Sequence, residues 1–198
     1  MKIAAQGAIL IGGKSRRFGR DKAFIEFDNE PISVRLYRLL KSIFKDSCLI
    51  ASTLRRIPVP GAEIFYDKIP GLGPLGGLLA ALANSSYPYT FILACDLPFI
   101  NIRLIKHLWE TRDDADVILP IYFDKIEPLA AFYHKNCIPQ IEAALEDGKR
   151  KMDSFWSHLS INKIDLTKNF SAAEIEQMFL NINSKKEYKK VLQSNGSH

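Results

Sequence analysis

A short apolar run that ends in two glycines limits the folds open to this sequence. Residues 7–11 (GAILI) are continuously apolar, and Gly12 and Gly13 follow directly. Such runs are typical of a parallel strand buried on both faces, and adjacent glycines indicate a tight loop. The pattern therefore predicts a central strand whose carboxyl end opens into a loop, which is where open α/β sheets bind their ligands.

Strand-like and helix-like segments alternate along at least the first 120 residues. The order predicts an α/β fold with a mostly parallel sheet covered by helices on both faces. There is no repeat, low-complexity tract or linker, so we expect one domain over residues 1–198. Apolar periodicity and start signals predict strands at 7–11, 47–51, 63–66, 89–94, 116–120, 128–133 and 161–164, and helices at 31–44, 74–86, 102–112, 136–146, 151–158 and 184–193.

Composition and charge exclude several classes of protein. Of the 198 residues, 47% are apolar and 25% are charged, which is ordinary for a globular chain and unlike a disordered or fibrous one. The net charge of +5 suits anionic partners such as nucleotides. Aromatic residues do not interleave with basic ones along a stripe, so we expect no nucleic-acid partner.

Cysteine usage and hydropathy predict a cytoplasmic protein. Cys48, Cys95 and Cys137 lie far apart in apolar runs without metal-ligand spacing, so we expect buried, reduced thiols. The N-terminal apolar stretch runs into a basic segment without a clear cleavage site, and no run approaches the length of a membrane span. We therefore expect neither a targeting segment nor a membrane partner.

The segment after the first strand has the chemistry of an anion site. Residues 10–23 (LIGGKSRRFGRDKA) combine adjacent glycines, whose backbone amides approach phosphate oxygens without hindrance from a Cβ, with the cations Arg16, Arg17 and Lys22. A Walker P-loop is excluded, because its pattern would need a glycine where Ala8 stands. The alternative is a plain strand-to-helix turn, and the density of glycines and basic residues favours phosphate binding.

A second glycine-rich segment leaves two interpretations open. Residues 71–76 match GxGxxG, and Asp96 lies twenty residues further on, as in a dinucleotide-binding fingerprint. That motif normally follows its strand at once, whereas residues 67–70 intervene here. The competing interpretation is a helix whose small residues allow close packing.

Asp96 is the candidate metal ligand. It follows a buried apolar strand directly, so its carboxylate is expected in the ligand cleft, where one carboxylate with phosphate oxygens and waters forms an ordinary Mg²⁺ shell. An N-cap role is the alternative, but Pro98 and the later cap Asn101 argue against it. Spacings for zinc proteases and serine hydrolases are lacking in the sequence.

These motifs, in this order, resemble those of the molybdenum cofactor guanylyltransferases, which belong to the nucleotidyltransferases with a three-layer α/β/α, Rossmann-like sheet of the nucleotide-diphospho-sugar transferase type. The family's L-A-G-G-x-S-x-R-M-G-x-D-K is similar to residues 10–22. Further matches are the family's P-G-x-G-P-L-x-G at residues 70–77, C-D-x-P-F at 95–99, E-P-L at 127–129 and N-x-N-T/S at 181–184.

The resemblance implies transfer of GMP from GTP to Mo-molybdopterin, with release of pyrophosphate and with Mg²⁺ as cofactor. It assigns catalysis to Lys22, Asp96, Arg16 and Arg17, and the metal to Asp96. The nucleotide side of the site would be formed by Leu10, Ile11, Gly12, Gly13, Lys22, Asp67, Asp96, Asn181 and Asn183. Residues 148–150 resemble a family motif near the pterin. We expect a monomer that makes transient contacts with other molybdenum cofactor biosynthesis proteins.

The sequence departs from the family pattern at the expected base contact. Some relatives have Asn in the loop after the second strand, where this chain has Ser52 and Thr53. Ile11 and Phe18 replace the usual Ala and Met and keep an apolar character. This departure leaves a cytidylyltransferase acting on molybdopterin or on a sugar or polyol phosphate as the nearest alternative. A non-catalytic nucleotide-binding protein is a separate alternative.

Overall fold

The computed structural model of the chain describes residues 1–11, 26–27, 30–51, 59–67 and 71–181. In chain order the strands are β1 (Ile3–Ile11), β2 (Glu26–Phe27), β3 (Glu30–Pro31), β4 (Phe44–Ala51), β5 (Glu63–Tyr66), β6 (Tyr89–Ala94), β7 (Val117–Tyr122), β8 (Lys125–Ile126), β9 (Ala130–His134) and β10 (Ile161–Asp165). The helices are α1 (Ile32–Ile43), α2 (Gly73–Asn84), α3 (Ile102–Glu110), α4 (Ile138–Glu146) and α5 (Ala172–Met178).

The main sheet has the strand order β10-β7-β9-β6-β1-β4-β5, and β8 pairs with β7 outside this path. β4, β1 and β6 are mutually parallel, as are β4 with β5 and β7 with β10. β9 runs antiparallel to both β6 and β7, so β6 and β7 point the same way. The predicted mostly parallel α/β sheet is confirmed, with β9 and the short β8 as the reversed strands.

Apolar side chains fill both faces of this sheet. Ala8 and Ile9 are neighbours on β1, yet each is fully buried in a different apolar cluster. The Ile9 cluster includes residues of α1, α3 and α5, whereas the Ala8 cluster includes residues of α2 and α4. Helices therefore cover both faces, and each large side chain buried between the layers contributes about 1.5–3 kcal/mol. No helix in the described part of the chain is long and apolar enough to cross a bilayer.

Most predicted elements are present. The strands predicted at 63–66 and 89–94 coincide with β5 and β6. The Asn101 side chain accepts a hydrogen bond from the Leu104 amide at 3.0 Å, so it caps α3 as predicted. The final helix predicted at 184–193 lies outside the described residues.

The helix predicted at 151–158 is wrong. This segment forms successive turns, closed by bonds such as the one from the Ser154 amide to the Lys151 carbonyl at 3.2 Å. Met152 and Phe155 are buried in the same cluster as Ala8. Apolar residues three positions apart suit such turns as well as a helix, so their spacing did not separate the two structures.

The sequence patterns missed α5 and the β7–β8 hairpin, as well as the short β2–β3 pair. The short α5 begins with a capping box, in which Ser171 accepts from the Glu174 amide while the Glu174 carboxylate accepts from the Ser171 amide. The β7–β8 hairpin turns through Phe123 and Asp124, which both have positive φ although neither is glycine. The first had a readable S-x-x-E signal, whereas the second lacks the Asn-Gly or Asp-Gly pair that marks such turns.

Candidate active site

The carboxyl ends of the parallel strands bring the predicted site residues to one edge of the sheet. Leu10 of β1 pairs with Ala94 of β6, and Asp96 follows two residues later. Ile11 is the last residue of β1, and Asp67 follows β5 directly. Sequence positions far apart therefore meet where an open α/β sheet binds its ligands.

Close packing of α2 shapes one half of this edge. A Cβ added at Gly76 would lie 2.5 Å from the Cβ of Leu72 and 2.6 Å from the Oδ2 of Asp67. A Cβ at Gly77 would lie 3.2 Å from the Cδ2 of Leu10. The glycines let α2 approach Asp67 and Leu10, so close helix packing accounts for this part of the second glycine-rich segment.

The orientation of α2 adds positive potential to the same half. The helix follows β5 and begins at Gly73, so its N-terminus lies at the carboxyl edge of the sheet. The first backbone amides of a helix lack carbonyl partners within it and attract anions. Phosphate groups beyond β1 and β5 would therefore be favoured electrostatically.

Asp96 is held by an amide from the far end of the chain. With its nitrogen donating, the Asn181 amide lies 3.0 Å from Oδ2 and 3.2 Å from Oδ1 of Asp96, and 3.0 Å from the Asp96 carbonyl oxygen. Asn181 follows α5, so this contact ties the end of the described chain to the end of β6. The pair fixes the orientation of the Asp96 carboxylate.

A second carboxylate approaches Asp96 from the neighbouring strand connection. Glu127 precedes β9, and its Oε1 accepts a hydrogen bond from the Leu129 amide at 3.2 Å. Burial raises the pKa of Glu127, the Leu129 amide opposes the rise, and the negative charge of Asp96 adds to it. Asp96 and Glu127 therefore form an acidic half of this edge. It lies next to the half at the N-terminus of α2, which attracts anions.

The β7–β8 hairpin borders this acidic half. Tyr122, at the end of β7, stacks on Phe179 with ring centroids 4.3 Å apart and an interplanar angle of 8°. Phe179 precedes Asn181 by two residues, so the stack supports the segment that reaches Asp96. Burial, with a further contribution from Glu127, raises the pKa of Tyr122 to about 12, so its hydroxyl stays protonated at neutral pH.

The described residues thus bring together five residues that the sequence singled out: Leu10, Ile11, Asp67, Asp96 and Asn181. The others, Gly12, Gly13, Arg16, Arg17, Lys22 and Asn183, lie outside the described residues. Sequence reasoning noted Glu127 only as part of a motif and overlooked Tyr122; the E-P-L motif was the signal for the first. Carboxylate and amide oxygens are suitable ligands for a hard divalent cation.

The described residues contain no group of three or more His, Cys, Asp or Glu residues that would enclose a metal ion. One carboxylate with phosphate oxygens and waters is in general an ordinary shell for a hard divalent cation.

Comparison with known proteins shows the family to which the chain belongs. The model of the MobA-like NTP transferase domain matches residues 7–161. A protein of Pelotomaculum thermopropionicum named probable molybdenum cofactor guanylyltransferase is 33% identical over 182 residues, which are 92% of this chain and 89% of that protein. The molybdenum cofactor guanylyltransferase of Desulfosudis oleivorans is 33% identical over 190 residues, or 94% of each chain.

The fold also matches a solved structure. Molybdopterin-guanine dinucleotide biosynthesis protein A from Archaeoglobus fulgidus superposes with a TM-score of 0.82 at 22% sequence identity, covering 98% of this chain and all of that one. The similarity at this identity concerns the fold, and it supports the α/β architecture described above.

Proposed function

Because this chain belongs to the MobA-like NTP transferase family, we propose that it is a molybdenum cofactor guanylyltransferase, which transfers GMP from GTP to Mo-molybdopterin. The observation that carries the proposal is the Asp96–Asn181 pair at the carboxyl edge, beside the glycine-packed start of α2. An oriented carboxylate next to an anion-attracting helix terminus suits the joining of two phosphates. The curated relatives with this activity in their names align over more than nine-tenths of the chain.

The proposed reaction exchanges one phosphoanhydride bond for another. An oxygen of the terminal phosphate of Mo-molybdopterin attacks the α-phosphorus of GTP, the bond between the α- and β-phosphates breaks, and pyrophosphate leaves with the electron pair. The attacking phosphate is already ionised at neutral pH, so no general base is needed. The protein instead has to align two anions and offset their repulsion.

The residues at this edge fit a Mg²⁺ ion. Asp96 supplies a carboxylate, and the negative charge shared by Asp96 and Glu127 favours a cation. When bound, the ion supplies positive charge that reduces repulsion between the reacting phosphates. Asn181 orients the Asp96 carboxylate, and Glu127 adds to the local negative potential.

The nucleotide is proposed to lie over β1, β4 and β5. Backbone groups of Leu10, Ile11, Gly12 and Gly13 would contact it, with the α2 N-terminus nearby and Asp67 contributing to the pocket. Lys22, with Arg16 and Arg17, would stabilise the β- and γ-phosphates. These cationic roles rest on the motif resemblance.

A cytoplasmic location is part of the proposal. Cys48, Cys95 and Cys137 are buried and are not joined in disulfides, which suits a reducing compartment. Burial raises the pKa of Cys137 to about 12, so this thiol is an unreactive packing group at neutral pH.

Two measurements test the proposal. In Mg²⁺ buffer, GTP is expected to raise the melting temperature more than CTP or ATP at equal concentration, because only a bound ligand stabilises the folded state. With Mo-molybdopterin added, the protein is expected to release pyrophosphate and form the guanine dinucleotide. Selective stabilisation by CTP would instead favour a cytidylyltransferase, and GTP binding without pyrophosphate release would favour a non-catalytic protein.

A further inference from the structure

The tip of the β7–β8 hairpin has a conformation that its residues do not favour. Phe123 has a φ of 46° and Asp124 a φ of 61°, and the flanking Tyr122 and Lys125 are paired. A two-residue turn with two positive φ values normally uses Asn-Gly or Asp-Gly, and a bulky residue in the first position is strained. The local backbone therefore does not explain why phenylalanine stands at position 123.

Burial does not explain it either. The Phe123 side chain is 49% exposed, and its ring meets the Tyr122 ring edge to face at 6.2 Å. Leu180 is also exposed and directly follows Phe179, the stacking partner of Tyr122. Two exposed apolar side chains therefore flank the Tyr122–Phe179 stack at the rim of the site.

The hairpin and the proposed nucleotide site over β1, β4 and β5 lie on opposite sides of Asp96. The strand order places β9 and β6 between β7 and β1, which at the usual spacing of about 4.8 Å separates β7 from β1 by roughly 14 Å. Asp96, at the end of β6, lies between the two halves. A ligand beside the hairpin would be the group that receives the nucleotide.

We infer that Phe123 is the platform on which the pterin ring of the acceptor substrate stacks, an inference that rests on the proposed guanylyltransferase function. A pterin is a flat bicyclic heteroaromatic ring, and an exposed phenylalanine offers a matching face. Phe123 and Leu180 are the two large apolar side chains exposed near this hairpin among the described residues, far fewer than the roughly 20–30 residues that each side of a stable protein interface contributes. Stacking at the hairpin leaves the terminal phosphate of the acceptor free to reach toward Asp96.

The test compares Phe123→Leu, which keeps an apolar side chain but removes the ring, with the control Phe123→Trp, which keeps a ring. The Michaelis constant for Mo-molybdopterin is expected to rise roughly 5–100-fold in Phe123→Leu, because removing one aromatic platform typically weakens stacking by this factor. The constant for GTP and the GTP-induced rise in melting temperature should not change. Phe123→Trp should stay close to the wild type for both substrates.

A direct binding measurement separates stacking from turnover. An oxidised, fluorescent pterin with a side-chain phosphate is titrated with the protein, in Mg²⁺ and a non-hydrolysable GTP analogue. Quenching is expected with the wild type and Phe123→Trp and should weaken with Phe123→Leu. Phe123→Gly removes the ring but suits a positive φ, so it should lose quenching while its melting temperature stays the same or rises.

Three results would overturn the inference. One is equal pterin affinity in Phe123→Leu and the wild type, and another is an equal loss of affinity for pterin and GTP. The third is a lowered melting temperature in Phe123→Gly with unchanged quenching, which would make the ring a structural element. If GTP stabilises the wild type but the pterin is not quenched, this inference alone fails; if GTP does not bind, the proposed function itself fails.

Discussion

One aspartate lies at each end of the strands in the main sheet, and the two carboxylates have different neighbours. Asp116 precedes β7 at the end where that strand begins, and its carboxylate accepts from the Ser160 hydroxyl at 2.8 Å, the Ser160 amide at 3.0 Å and the Asn136 amide at 2.9 Å. Asp96 lies where β6 finishes, with the Asn181 amide against it and Glu127 nearby.

The difference separates a structural acid from one suited to ligand binding. Desolvation raises the pKa of Asp116, but the donors from Ser160 and Asn136 outweigh it and hold the pKa below its usual value. At the other end, burial and the neighbouring Asp96 raise the pKa of Glu127. Donors from Ser160 and Asn136 surround the single carboxylate at one end, whereas at the other end a second carboxylate, Glu127, lies near Asp96 and adds negative charge that a cation would stabilise.

The largest expected effect is the loss of turnover when Asp96, at the carboxyl ends of the parallel strands, is changed. Asp96→Asn should lower kcat by roughly 10²–10³-fold, because it removes a preorganised charge from the phosphate-transfer step. The matched variant Asp116→Asn should leave kcat near the wild-type value. Pyrophosphate release under saturating substrates measures both, and circular dichroism checks that each variant is folded. Wild-type turnover in Asp96→Asn would remove the distinction between the two ends.

A smaller effect is expected when the carboxylate is kept but its orienting amide is removed. Asn181→Ala should lower kcat roughly 10–100-fold, because a hydrogen bond to a charged group is typically worth about 1.5–3 kcal/mol. The concentration of Mg²⁺ needed for half-maximal rate should rise, and Mn²⁺ binding followed by electron paramagnetic resonance should weaken. Asn169→Ala, in an exposed position before α5, is the control. Unchanged Mn²⁺ binding in Asn181→Ala would contradict the positioning role.

A change in side-chain size on α2 tests whether its close packing at the carboxyl ends of the strands affects stability and GTP binding. Gly76→Ala should lower the free energy of unfolding by about 1–3 kcal/mol, because the new methyl overlaps Leu72 and Asp67 and this outweighs the gain of about 1 kcal/mol in helix propensity. GTP affinity should fall with it. Gly77→Ala should be nearly neutral, since only the flexible end of Leu10 must shift. Chemical denaturation and GTP titration compare the two variants, and equal effects would contradict this account of the packing.

The sequence predicted the carboxyl edge well where its signals are local. Residues 7–11 and 91–95 are continuous apolar runs, and Gly12 and Asp96, which follow them, mark the ends of the strands. Asp96 was placed correctly at such an end because strand direction alone determines which edge it reaches, whereas Asp67 was assigned by resemblance and lies directly after β5. The fold class follows from the same alternation.

The acidic half was harder to predict because its contacts join distant segments. The negative charge of Asp96 acts on Glu127, and Tyr122 stacks on Phe179. Both contacts arise from tertiary packing, which the periodicity of apolar residues in the sequence does not predict. The positive φ of Phe123 contradicts its own local preference, so turn statistics work against the correct answer there. The Asn181 motif was recognised by resemblance, but its bond to Asp96 required the fold.

The smallest expected effect is at the amino end of β7, and its pH dependence gives the sharpest test of the contrast. Asp116→Asn should lower the free energy of unfolding at pH 7 by about 1 kcal/mol, which is less than a buried hydrogen bond to a charged group contributes because the carboxylate is partly exposed. The folded-state pKa of Asp116 is lowered, so its stabilisation is fully present above the unfolded pKa of about 3.9 and is lost as the pH falls through the folded-state pKa. Urea denaturation between pH 3 and pH 8 should therefore show a constant difference from the wild type above about pH 5 that shrinks in acid.

The exposed Asp113→Asn serves as the control and should show no such difference. A gap that widens toward pH 3 would mean that Asp116, like Glu127, is a carboxylate whose charge the fold disfavours, and the two ends of the sheet would then not differ as described.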